Sequence, residues 1–337
     1  MNLLITGGAG FLGARLARTL LQRGTLAGQR IARLVLAVRA APQDAALTSD
    51  ARVQVKVGDL AAQLPTLMAA PFDAIFHLAA AVSGECEADF ELGMHANFDT
   101  TRQLLDACRA AGNRPRLVFS SSLAVFGSDP SLPLPEVVGD ATLPTPQTSY
   151  GIQKFIGEQL VADYTRKGYI DGRSTRLATV SVRPGRPNAA ASGFLSGIVR
   201  EPLAGLPASC PVDVDTEVAL TSPANTVAGL IAVVEADASS WIGRTAINLP
   251  ALTVSVRAML DALREIGGDE AVALVRFGAD PSVARMVGGW PARVASERAQ
   301  RLGLRADSDF RSIVLQYVRD NASAVTNARA RAAAGLA

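Results

Sequence analysis

The chain is poor in the residues that build metal centres, disulfide frameworks and nucleic-acid faces. Of its 337 residues only three are cysteine and two are histidine. Cys86, Cys108 and Cys210 are far apart and odd in number, so they form neither a zinc spacing nor a disulfide framework. Reduced thiols in a cytoplasmic protein are the expectation. His77 and His95 have no partner at metal-ligand spacing, so no metal is expected. Aromatic residues make up 5% of the chain, and 33 Lys and Arg nearly cancel 31 Asp and Glu. A balanced charge leaves no basic stripe for nucleic acid and no polybasic run for a membrane surface. No apolar run reaches the ~20 residues that cross a bilayer. The first twenty residues are apolar, but no basic segment precedes them and Gly7, Gly8, Gly10 and Gly13 interrupt them. A signal peptide is therefore not expected.

What the chain has is core material: 49% of residues are hydrophobic and 19% charged, which suits a globular protein of one large domain or two merged ones. Short apolar runs at Asn2–Thr6, 34–38, Val53–Val57, 74–78, 117–119 and 179–183 read as six strands. Helical periodicity falls at Phe11–Arg23, 98–111 and 150–167, closed by Gly24, Gly112 and Gly168. Alternation of this kind predicts an α/β protein with a doubly wound parallel sheet. After Pro184 the pattern changes. A loop of small residues over 187–193, a short helix at Phe194–Leu203, a helix over 254–266 and an Ala- and Arg-rich tail that frays over 322–337 suggest a smaller C-terminal substrate lobe. The expected division is 1–185 for dinucleotide binding and 186–337 mainly for substrate, with residues near 215–250 returning to the first unit.

Thr6-Gly7-Gly8-Ala9-Gly10-Phe11-Leu12-Gly13 stands between the first strand and the first helix. Glycines at Gly7, Gly10 and Gly13 allow a tight turn, close approach of a pyrophosphate and helix-on-strand packing. Amides at the helix N-terminus then face the phosphates. An acidic residue at the end of the second strand would hold a ribose 2′-hydroxyl. Here the strand ends Val38-Arg39, and a guanidinium suits the 2′-phosphate of NADP rather than NAD. Asp59, followed by Leu60, ends the third strand, where it either contacts adenine or caps a helix.

Tyr150 and Lys154 are four residues apart, on one face of a helix. A tyrosine with a pKa near ~10 is a poor base at neutral pH, and a neighbouring cation lowers that value. Tyr150 could then exchange a proton with an alcohol while hydride moves at the same carbon. The serines Ser120-Ser121-Ser122 after the fifth strand offer a hydroxyl to orient the substrate oxygen.

Together these segments, with His77-Leu78-Ala79-Ala80, Phe119–Gly127 and Val182-Arg183-Pro184-Gly185, resemble the extended short-chain dehydrogenase/reductases, which include sugar-nucleotide epimerases and dehydratases. The resemblance covers the first 185 residues. It implies a Rossmann fold and a triad of Ser122, Tyr150 and Lys154, with Lys154 also holding the nicotinamide ribose. By the same resemblance Ala79 and Ala80 line the cofactor cleft, Asn97 serves the cofactor site, and Pro184 and Gly185 pass beside the nicotinamide. It further implies a homodimer paired through the helices at 98–111 and 150–167, where Phe155, Ile156, Leu160 and Val161 form an apolar stretch. Leu78–Glu85, Arg183–Ser192 and Gly197–Leu203 are in turn similar to segments of the D-erythronate dehydrogenases. That similarity implies NAD-linked oxidation of a four-carbon sugar acid at its C2 hydroxyl, although the Val38-Arg39 ending departs from that group's aspartate.

Ser83, Asn188, Ser192 and Arg200 are the substrate candidates, with Arg200, or alternatively Arg186, a bidentate clamp for a carboxylate. His77 is expected to be a packed, hydrogen-bonded side chain and His95 a helix-surface one. The principal reading is a dehydrogenase acting on a secondary alcohol of a hydroxy acid. A sugar-nucleotide epimerase or dehydratase would use the same triad but would need a diphosphate clamp, of which the second half shows only scattered arginines. A non-catalytic dinucleotide sensor is disfavoured by the intact triad.

Overall fold

A computed structural model describes residues 1–42, 44–185 and 190–336. Its centre is a seven-stranded, wholly parallel sheet. In chain order the sheet strands are β1 (Asn2–Thr6), β2 (Arg33–Val38), β3 (Val53–Val57), β4 (Ala74–His77), β5 (Arg116–Ser122) and β6 (Asp171–Leu177). Two-residue β7 (Thr179–Val180) and longer β8 (Glu217–Thr221) lie outside it, and β9 (Ile247–Asn248) completes it. The spatial order is β9-β6-β5-β4-β1-β2-β3. Strand direction of winding reverses between β1 and β4, and the crevice beyond their carboxyl ends is where such folds bind ligands.

Both faces of the sheet are covered. Helix α1 (Phe11–Arg23) buries Leu16 and Leu20 on one face, beside β-strand residues Ile5 and Phe76. On the other face lie α2 (Leu60–Leu67), α3 (Thr100–Ala111) and α4 (Ser149–Arg166), contributing Leu64, Leu104, Leu105 and Val161. Fully burying each such side chain stabilises the fold by roughly 1.5–3 kcal/mol. The second lobe has its own core. Helices α5 (Phe194–Leu203), α7 (Val256–Gly267), α8 (Pro281–Gly288) and α9 (Phe310–Asp320) bring together Leu195, Ile198, Leu263, Ile266, Val287, Ile313 and Val318. Between them in sequence, α6 (Pro223–Glu235) returns to the first unit, where Leu230 and Val234 join the core around α1.

Three expectations are corrected. The sixth sheet strand is Asp171–Leu177, not 179–183. Its sequence, Asp-Gly-Arg-Ser-Thr-Arg-Leu, has no hydrophobic run because its buried side chains are polar and its two arginines are ion-paired. Arg173 is 1% exposed and caps α6 by donating to the carbonyls of Val233 and Ala236. Residues 179–180 instead pair with β8, which also runs antiparallel to β10 (Leu252–Ser255). Residues 252–255 are therefore a strand, and the helix expected from 254 begins at Val256. The tail is not frayed. A short helix α10 (Ala328–Ala333), capped by Asn327, buries Ala330 and Ala334 in the second-lobe core.

Candidate active site

The loop after β1 is a tight turn built on glycine. Gly7 has φ +70°, and a Cβ there would stand 3.0 Å from the Ala79 amide nitrogen. A Cβ on Gly13 would stand 2.2 Å from the Gly7 carbonyl oxygen. Both positions therefore require glycine. Helix α1 starts at Phe11 with Gly10 as N-cap, no side-chain cap and no acidic residue in its first turn. Its first amides, on Phe11 and Leu12, are open to an anion. This is a cradle that fits a dinucleotide pyrophosphate. Arg39 is exposed at the end of β2. Asp59 caps α2 by accepting from Ala62 N at 3.0 Å, and Leu60 opens that helix half-buried.

One buried chain of hydrogen bonds ties this loop to the catalytic elements. Thr101 Oγ1 donates to the Asn97 carbonyl oxygen at 2.7 Å, so it accepts from His77 Nε2 at 3.0 Å. His77 Nδ1 must then accept from Thr6 Oγ1 at 2.7 Å, leaving that oxygen to receive the amides of Leu78 and Ala79. Burial, reinforced by the Lys154 charge, pushes His77 down to about 3, so it is a neutral strut. Asn97 is 2% exposed and fully engaged: Oδ1 accepts from Ala81 N, and Nδ2 donates to Gln153 Oε1 at 2.8 Å. It sets the Ala79–Ala81 loop against α4 and does not line the cavity. Asn97 lies in a turn of π-helix, Met94–Asp99, that leads into α3.

At the carboxyl end of β5 the serine run divides by direction. Ser120 Oγ donates to the His77 carbonyl and Ser121 Oγ to Glu158 Oε1. Glu158 also holds Arg176 through a buried pair at 2.7 Å. The third hydroxyl, Ser122, accepts from Ala124 N at 3.1 Å and shares the cavity wall with Tyr150. Helix α4 approaches that closely because Gly151 follows Tyr150: a Cβ there would stand 2.1 Å from the Ala124 carbonyl oxygen. Lys154 is buried, and its Nζ donates to the Ser120 carbonyl at 2.8 Å, 5.7 Å from the Tyr150 ring centroid.

Burial pushes Tyr150 up to about 12, against the lowering effects of the neighbouring Ser122 hydroxyl and the Arg183 charge. Burial also pushes Lys154 down to about 8.

Tyr150, Ser122 and Lys154 line a cavity of about 230 Å³ together with Ala80, Ser83 and Ser192. Ala79 stands beside it, against Gly7. Several candidates fall outside. Pro184 and Gly185 do not line the cavity; Leu177, the last residue of β6, and the following Ala178, Thr179 and Val180 do. Arg200 is 7% exposed, and its guanidinium is spent on the Arg183 carbonyl at 2.7 Å and on Glu201. Asn188 and Arg186 lie outside the described residues. Sequence reasoning missed Thr179, Arg183, Glu217 and Trp290, all on the cavity wall. Glu217 and Trp290 come from elements distant in sequence and carried no motif. Arg183 stood in a quoted segment but was assigned no role of its own. Among the described residues no cluster could hold a metal ion, and no helix is long and apolar enough to cross a membrane.

The model of the NAD dependent epimerase/dehydratase family matches residues 3–241. The chain belongs to this family. It is 49% identical over 326 residues to the D-erythronate dehydrogenase of Cupriavidus necator, covering 95% of this chain and 98% of that protein. The D-erythronate dehydrogenase of Haemophilus influenzae is 41% identical, with 94% and 99% covered. The crystal structure of a nucleoside-diphosphate-sugar epimerase from Agrobacterium tumefaciens superposes with a TM-score of 0.89 at 40% identity, covering 96% of this chain and 95% of that one. As a member of the family the chain is an oxidoreductase that uses a nicotinamide dinucleotide.

Proposed function

We propose that the protein oxidises the C2 hydroxyl of a small sugar acid, D-erythronate or a close analogue, to the 2-keto acid, or runs the reverse reduction. The observation that carries this reading is that Tyr150, Ser122 and Lys154 converge on the wall of one small cavity, Lys154 being held there by the Ser120 carbonyl. In this reading Ser122 orients the substrate oxygen. Tyr150 takes the hydroxyl proton at its phenolic oxygen in oxidation and returns it in reduction. A dinucleotide held in the cleft would accept or supply the hydride. Lys154 would hold the nicotinamide ribose and keep a positive charge beside the phenol, favouring its ionised form during turnover. Ser83 and Ser192, both on the cavity wall, offer hydroxyls to the polyol chain.

The cofactor cradle comprises Gly7, Gly10, Phe11, Leu12 and Gly13, with Ala79 and Ala80 across the crevice. Arg39, exposed where a family aspartate would bind a 2′-hydroxyl, supports NADP. Residues 1–185 would hold the dinucleotide and 186–337 mainly the substrate. Three buried, unpaired cysteines agree with a reducing cytoplasmic setting. The outer faces of α3 and α4 would pair two copies into a homodimer.

Epimerisation is the second reading, favoured by the name of the Agrobacterium tumefaciens protein. The cavity, about 230 Å³, falls below the ~300–1,000 Å³ usual even for drug-sized ligands, which supports a small acid over a nucleotide sugar.

The test follows reduced-nicotinamide absorbance with D-erythronate, supplying NAD and NADP in parallel. Turnover is expected with NADP preferred, and Tyr150→Phe should lower kcat by about 10²–10⁴-fold while dinucleotide affinity holds. No turnover with any small hydroxy acid, alongside turnover of a nucleotide sugar, would transfer the reading to epimerisation.

A further inference from the structure

Oxidation at C2 of a 2-hydroxy acid places the carboxylate on the carbon next to the reacting one. The group that binds it must therefore lie within a few ångströms of the Tyr150 hydroxyl. Among the described residues, three charged side chains line the cavity. Lys154 donates to the Ser120 carbonyl. Glu217 forms an ion pair with Arg293 at 2.7 Å. Arg183 is left: among the described residues its guanidinium has no carboxylate partner and no hydrogen-bond acceptor. It stands on the side of the cavity nearest α1, with its guanidinium carbon 5.5 Å from the Phe11 ring centroid.

The backbone of Arg183 is held unusually well for a loop residue. Its amide donates to Ser196 Oγ at 3.0 Å, and its carbonyl accepts from Arg200 Nη1 at 2.7 Å. Two residues earlier, Ser181 Oγ donates to the Leu195 carbonyl. All three partners belong to α5, so that helix aims the arginine.

We propose that Arg183 is the carboxylate-binding residue of the substrate site, and that Arg200 is the positioning residue that fixes it. This deepens the reading above and rests on it. A planar fork with no internal partner matches a carboxylate in two parallel hydrogen bonds. The electrostatic coupling between Arg183 and Tyr150 is consistent with that placement. Binding the carboxylate there puts C2 in front of the phenol and ties acid recognition to the proton-transfer step.

Arg183→Gln and Arg183→Lys, checked for a native melting transition, are compared with the unaltered protein in three measurements. kcat/KM for D-erythronate should fall about tenfold to a hundredfold in Arg183→Gln, the loss expected for one charged hydrogen-bond partner, and less in Arg183→Lys. kcat/KM for the uncharged D-erythronate methyl ester should stay within about threefold, since no charged partner is lost. Calorimetric binding of oxalate, a small mimic of a 2-keto acid, to the protein–reduced dinucleotide complex should vanish in Arg183→Gln. This last arm does not depend on which acid is the true substrate. Failure of D-erythronate turnover with retained, Arg183-dependent oxalate binding would sink the substrate assignment alone. Undiminished oxalate binding in Arg183→Gln overturns the proposal. So does weakened dinucleotide binding with KM for the acid unchanged, which would assign Arg183 to the cofactor phosphates.

Discussion

At the scale of single residues, His77 shows how a sequence expectation becomes a physical statement. A histidine ending a central strand is expected to be packed and hydrogen-bonded, and it is, but the tautomer follows only from the donors and acceptors around it. Because it is buried neutral, its folded pKa is about 3 against an ordinary 6.5. Below pH 6.5 the unfolded chain binds a proton that the folded protein refuses. Stability therefore falls as pH drops, by about 1.4 kcal/mol per unit until the folded pKa is reached. Urea unfolding at pH 6.5 and pH 4.5 should differ by about 2–3 kcal/mol from this group. His77→Gln should flatten that dependence, whatever its effect on absolute stability. An unchanged slope would mean that His77 takes up its proton without unfolding.

At the scale of elements, α4 carries the chemistry because a glycine lets it approach. Thr148 caps it by accepting from Gly151 N, and Gly151 then packs under the Ala124 carbonyl, bringing Tyr150 to Ser122. The Tyr-Gly-x-x-Lys segment was legible as a catalytic pair, but the role of its glycine was not. That role depends on a turn 27 residues earlier in the chain. Gly151→Ala should cost about 1–3 kcal/mol in stability through overpacking. It should also lower kcat about a hundredfold, the cost of misplacing the acid/base by ~1 Å. Kinetics within twofold of the unaltered protein would show that α4 tolerates the shift. The strand β6 teaches the complementary lesson. Hydropathy cannot register a buried strand whose charges are satisfied by Asp171, Glu158 and the C-terminal carbonyls of α6.

At the scale of the whole molecule, two cores meet at the cavity: the sheet and its covering helix α4 supply Ser122, Tyr150 and Lys154, and the second lobe supplies Ser192, Glu217 and Trp290. Helix α4 presents Ile152 to solvent at 46% exposure, and Phe155 and Ile156 are half-buried. Pairing of two copies across α3 and α4 predicts a sedimentation mass twice the 35.1 kDa of the chain. A mass equal to one chain would leave those faces to solvent.

The sequence by itself determined what depends on local order. A glycine turn between strand and helix, a tyrosine and lysine one turn apart, and the apolar periods of the first five strands are all encoded within a few residues, and each appears where it was expected. Only the tertiary structure decided which polar groups are spent and which are free. Arg200 and Arg183 are equivalent as letters. One is consumed by a carbonyl and a glutamate inside the second lobe, whereas the other faces the reacting centre. That difference arises from long-range packing of α5 against the segment after β7, and hydrogen-bond partners far apart in sequence leave no periodic trace in it.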